Sequence, residues 1–144
     1  MSTRHQSNSR NLTDDPSFLG AVARVDIALK AMGHGESELF ANCWAHREDT
    51  SLYGAFGTRE HGFEAISATL AWVASRLSDG DLVPQYELMT SSADFGYTVG
   101  FERGFLRVDG GEPGPFEVRV THVFRKIEDD WLIVHRHGDH PPRL

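Results

Sequence analysis

An α+β fold, with three helices packed on an antiparallel sheet, is the architecture this sequence predicts, and two observations carry it. Between residues 16 and 77 apolar side chains recur every three or four positions, and from Leu82 onward the period drops to two. A chain of 144 residues falls in the size range of one domain and can bury roughly 70% of its unfolded surface. One core with an internal cavity is therefore expected, without internal repeats or a second domain.

Residues 1–13 are polar, rich in Ser and Asn and free of periodicity, so they are expected to form a flexible tail ahead of a single domain over residues 14–140. The first helix opens at DDP, where Asp14 or Asp15 can cap and Pro16 sits in the first turn at no cost in hydrogen bonds. Phe18, Val22, Val25, Leu29 and Met32 form one stripe, and Gly33 is expected to end it as a C-cap. A short second helix over roughly residues 36–46 turns Leu39, Phe40, Cys43 and Trp44 inward. After the extended segment TSLYGAF, a third helix over about residues 63–77 buries Phe63, Ile66, Leu70, Val73 and Leu77, and SDGD stops it. Trp72 lies off that stripe; it reads either as a cover for a pocket mouth or subunit contact, or as a partly exposed residue without a task.

Four strands follow: LVPQYELMT, FGYTVGFERGFLRV, PFEVRVTHVFRKI and WLIVHRH. Parity puts Phe116, Val118, Val120, His122 and Phe124 on one face, with His122 as its polar exception. In the second strand Phe95, Tyr97, Val99 and Phe101 are expected inward, and Tyr86 and Leu88 likewise in the first. The last strand is apolar on both faces, Trp131 and Ile133 against Leu132 and Val134, which calls for a second cover and points to a homodimer through the outer sheet face. The net charge of −7 and scattered Lys and Arg oppose nucleic-acid binding. Cys43 stands alone, no apolar run resembles a signal peptide or reaches the ~20 residues of a membrane span, and a cytoplasmic location is expected.

The segments ANCWAHREDTSLYGAFG, GFEAI, DFGYTVGFERG, RVTHVFRK and WLIVHRHGD, over about residues 14–139, resemble the SnoaL-like branch of the nuclear transport factor 2-like superfamily. The resemblance implies a cone-shaped α+β barrel, usually dimeric, with a pocket between helices and concave sheet. The superfamily holds ketosteroid isomerases, cyclases, dehydratases and non-catalytic domains, so a reaction does not come with the fold. Ketosteroid isomerases place their carboxylate base where this chain has Tyr53 or Gly54, which argues against that mechanism. SnoaL-type cyclases pair a His on the penultimate strand with an Asp on the last; His122 fits the first role, His135 or His137 the second place, and Asp139 is expected past the strand end.

The expected catalytic residues are thus His122, His135 and Tyr97, with Tyr97 donating to an oxyanion while His122 moves a proton. The expected ligand contacts are Trp44, Tyr53, Tyr86, Phe101, Phe124 and His137. His135 and His137, two apart on a strand, have a spacing that can chelate metal, but a cupin-like site would need a Glu and a further His downstream, and PPRL follows His140. No metal or cofactor is expected. Asp94, Glu102 and Asp109 read as solvated charges. The functional expectation is a small-molecule pocket protein: a cofactor-independent lyase, isomerase or cyclase acting on a small, partly apolar carbonyl compound, or else a non-catalytic ligand-binding or assembly domain.

Overall fold

The computed structural model describes residue 13 and residues 15–142. The expected tail lies outside the described residues, apart from Thr13, whose hydroxyl meets Ser91 Oγ at 2.9 Å. Helix α1, Pro16–Met32, is capped by Asp15, whose carboxylate accepts from the backbone N–H of Ser17 at 2.9 Å and of Phe18 at 3.4 Å. Two donors that a helix start leaves unpaired are thereby satisfied. The stripe Phe18, Val22, Val25, Leu29 and Met32 is buried. Phe18 meets Phe124 and Trp131 edge-on, each at 5.1 Å between ring centroids, and anchors the helix to the sheet. Gly33 takes the C-cap position with φ −65°, so its left-handed freedom goes unused there. A Cβ at Gly33 would overlap the Gly80 carbonyl oxygen, and close approach is what the glycine permits.

Helix α2 is one turn, Glu38–Ala41, shorter than the sequence pattern predicts. The chain leaves it to bridge Trp44 to Ile133, with Ala45 N–H donating to the Ile133 carbonyl at 2.9 Å. Phe40 and Trp44 are buried while Leu39 is 47% exposed, which corrects its inward assignment. Helix α3, Phe63–Ser75, ends two residues early because Leu77 joins a strand.

The strands are β1 Ser51–Tyr53, β2 Arg59–His61, β3 Leu77–Ser78, β4 Val83–Ser91, β5 Phe95–Val108, β6 Gly114–Ile127 and β7 Asp130–Asp139. They form one sheet in the order β2-β1-β7-β6-β5-β3, with β4 also paired to β5. All pairs are antiparallel except β1 with β7. The four long strands stand where the period-two pattern puts them; β1, β2 and β3 are too short to carry such a pattern. The sheet curls as a half-barrel around the helices, which gives the cone-shaped α+β fold. Among the described residues no helix is long and apolar enough to cross a membrane.

Two strands turn their side chains differently from the expectation. In β5 the buried face is Gly96, Thr98, Gly100 and Glu102, so Phe95, Tyr97, Val99 and Phe101 lie on the outer face. The concave side leaves little room: a Cβ at Gly96 would press on the Phe18 ring, and one at Gly100 would overlap the Gln85 carbonyl oxygen. A register shift between Tyr86 and Leu88 leaves Tyr86 inward but pairs Leu88 with Val99 on the outer face. A second shift lies in β7, where Ile133 pairs with Phe124 and His135 with Val123. Val134 is the extra residue there, so Arg136 follows Ile133 into the concave face and His135 and His137 turn outward.

Candidate functional site

A mostly apolar cavity of about 520 Å³, including its open mouth, lies between the helices and the concave face. Leu29 and Met32 of α1, Phe40 of α2, Leu52 of β1, and Leu70 and Val73 of α3 form its walls. The loop Gly54 to Thr58 closes one side, with Phe56 packed edge-on against Trp72 at 6.2 Å and under the Arg76 guanidinium at 4.3 Å. Trp72 thus stands at the cavity rim, 47% exposed. The sheet contributes Phe116, Val118 and two charged residues, Glu102 and Arg136.

Those two make a forked ion pair. Arg136 donates from Nη1 to Glu102 Oε2 at 2.6 Å and from Nη2 to Oε1 at 2.8 Å. Their side chains are 13% and 2% exposed, and both carboxylate oxygens are engaged in the bidentate geometry that makes such pairs strong. Arg136 Nη1 also lies 2.9 Å from His122 Nε2. A guanidinium can only donate, so this imidazole nitrogen accepts and the ring carries its proton on Nδ1. Burial first, and the neighbouring Arg136 charge second, hold the His122 pKa well below the usual histidine value. His122 is therefore a neutral support behind Arg136. It does not belong to the cavity wall.

A second polar pair, half-buried, adjoins this floor. Tyr86 donates to Asp26 Oδ1 at 2.6 Å; burial and that carboxylate push the phenol upward, and desolvation raises Asp26. Tyr86, Thr98, Glu102 and His122 border a smaller space of about 210 Å³, so Glu102 stands between the two cavities.

The remaining expected site residues do not converge on the main cavity. Trp44 and Phe124 are fully buried core. Tyr97 pairs with Val123 on the outer face, opposite in direction to His122, so the two cannot act together on one oxyanion as the sequence suggests; the His122 partner is Arg136. Phe101 also faces outward, beneath the Arg103 guanidinium at 4.1 Å. Tyr53, 39% exposed, has the His135 and His137 rings edge-on at 5.5 and 5.7 Å on that same outer face. His135 Nδ1 bonds to Ser51 Oγ at 2.7 Å, and its pKa is lowered by burial and by His137. Among the described residues no three His, Cys, Asp or Glu side chains are grouped to hold a metal ion.

Asp139 is the last residue of β7, where Arg119 binds its two carboxylate oxygens at 2.7 and 3.0 Å, not past the strand end. Glu102, read from sequence as a solvated charge, is 2% exposed. Its signal was its phase with Gly96, Thr98 and Gly100, small residues that suit a tight concave face.

Residues 22–141 match the SnoaL-like domain family. The chain belongs to that family. Solved structures of the same fold include a nuclear transport factor 2-like superfamily protein from Salmonella enterica serovar Typhimurium, at 17% identity and TM-score 0.69, covering 99% of this chain and 95% of that one. A Streptomyces avermitilis protein of the same superfamily, provisionally assigned as a dehydratase, aligns at 16% identity and TM-score 0.71 over 88% of this chain and 95% of its own. A Thiobacillus denitrificans protein, provisionally assigned as a calcium/calmodulin-dependent protein kinase type II association domain, aligns at 19% identity and TM-score 0.69 over 89% and 100%. No curated protein matches the sequence. Compared with the His and Asp pairing that the SnoaL-like resemblance implies, this member keeps His122 on the penultimate strand and sets Arg136, not an acid, beside it on the last.

Proposed function

We propose that the main cavity holds a small, mostly apolar compound bearing a carbonyl oxygen, and that the protein acts on it without a cofactor, as a lyase or isomerase. One observation carries this reading: among the described residues, the charged side chains lining this mostly apolar cavity are the forked pair Glu102 and Arg136. A Glu102 oxygen, which keeps free lone pairs beyond those that Arg136 occupies, takes a proton from the carbon beside the carbonyl. The C–H electrons become the C=C bond and the carbonyl π electrons pass to oxygen, giving an enolate; Glu102, now protonated, no longer neutralises Arg136, whose guanidinium stabilises the enolate charge. Return of the proton elsewhere gives an isomer; departure of a β-leaving group gives a lyase product. His122 is a positioning residue that fixes Arg136 from behind.

A second reading, ligand binding without turnover, is favoured by the mutual satisfaction of Glu102, Arg136 and His122. Acetophenone in D2O separates the two. NMR should show protein signals of the cavity shifting and deuterium entering the ketone's methyl group faster than in buffer, with Glu102→Gln abolishing the exchange. Binding without exchange supports the second reading, and no binding at millimolar ketone removes both.

We also propose that two chains associate through the outer sheet face. Phe95, 45% exposed, continues into the partly exposed row Tyr97, Val99 and Phe101, over which no helix or strand of the described residues lies. Sedimentation at micromolar concentration should give a dimer that Val99→Glu dissociates; a monomeric wild type would overturn this.

A further inference from the structure

Taking the main cavity as the ligand site, we propose that Thr58 and the self-neutralised Glu102–Arg136 pair make it select an uncharged molecule with one hydrogen-bonding oxygen and reject its carboxylate counterpart. Thr58 lines the cavity on the loop that closes it. Its hydroxyl oxygen is buried and, among the described residues, has no hydrogen-bond partner. Buried hydroxyls are nearly always paired, because an unpaired one forfeits its bonds to water. The oxygen packs against Gly54, which also lines the cavity and whose lack of a Cβ leaves it that space. A turn about the Thr58 Cα–Cβ bond presents the hydroxyl to the cavity that the residue lines, where a ligand carbonyl oxygen accepts from it and supplies the missing partner.

Charge selection comes from the floor. Arg136 alone would recruit an anion, but Glu102 accepts from both of its Nη atoms and neutralises it. His122 adds no charge, since its Nε2 accepts from Arg136. A carboxylate entering this space would lose its hydration, meet the Glu102 carboxylate and find no free cation among the lining side chains. A neutral ketone brings no such penalty, and its hydrocarbon frame fits walls such as Leu70, Val73 and Phe40.

Acetophenone, benzoate and ethylbenzene, three probes of similar size, test this by NMR titration against wild type and Thr58→Val, a variant that keeps the side-chain volume. Wild type should bind acetophenone about 5-fold more tightly than ethylbenzene, the worth of one ordinary hydrogen bond, and about 100-fold more tightly than benzoate. Thr58→Val should erase the first preference while leaving ethylbenzene affinity unchanged. Benzoate binding as tightly as acetophenone, or an unchanged preference in Thr58→Val, would overturn the inference and leave the cavity as a ligand site. Failure of all three probes to bind at millimolar concentration would overturn the ligand-site reading, and the inference with it.

Discussion

Replacing Arg136 with Met probes the cavity floor, because it keeps side-chain length and removes the charge. Glu102, 2% exposed, would lose its partner at both oxygens. Stranding one member of a buried pair costs about 3–5 kcal/mol, more than the pair itself contributes, since the remaining charge stays desolvated. For a domain of this length each kcal/mol moves the melting temperature by about 3–4 °C, so Tm should fall by about 10–20 °C. Adding Glu102→Gln to Arg136→Met removes the stranded charge and should restore at least ~2 kcal/mol of the loss, a coupling typical of contacting residues. Urea denaturation followed by tryptophan fluorescence, with thermal melts by circular dichroism, reads both quantities. A loss under ~1 kcal/mol for Arg136→Met would mean that water reaches the floor. Strict additivity in the double variant would mean that the two side chains do not depend on each other.

His122 should make stability pH-dependent. Its folded pKa is depressed by burial and Arg136, so below about pH 6.5 the unfolded chain binds the proton that the folded one refuses, and stability falls by up to about 1.4 kcal/mol per pH unit. Urea titrations at pH 7 and pH 5 should show that fall, and His122→Gln should flatten it; an unchanged slope would refute the assignment. Tyr86→Phe removes the 2.6 Å bond to half-buried Asp26 and should lower unfolding free energy by about 1–2 kcal/mol in the same assay. Gly33→Ala, which drives a methyl group into the Gly80 carbonyl, should destabilise by ~1–3 kcal/mol as overpacking does; a neutral result would show that the α1 terminus can shift freely.

The parts legible in the sequence are those with long periodic support. The α1 stripe and the inward face of β6, His122 included, follow from spacing, and DDP marks the α1 start with Asp14 or Asp15 as its cap, of which Asp15 takes the role. The inner face of β5 did not, because hydrophobicity runs opposite to burial there: glycines and Glu102 face the tight concave side, and aromatic residues face out. A pattern read by polarity assigns such a strand backwards. The partnership of Glu102 with Arg136 needs the β5, β6 and β7 registers together, and Thr58 sits in a loop with no period at all. His135 and His137 were misplaced by a single unpaired residue at Val134.

That residue also governs how roles can be carried between relatives. Any protein of this fold whose last strand runs without the extra residue offers the opposite set of side chains to its interior over the strand's second half. An ungapped alignment would then set Arg136 against a surface position of the relative, and His135 and His137 against interior ones. At the 16–19% identities found among the compared structures, letters alone will not reveal the offset. Comparisons of function across this fold therefore have to match strand faces first and residues second.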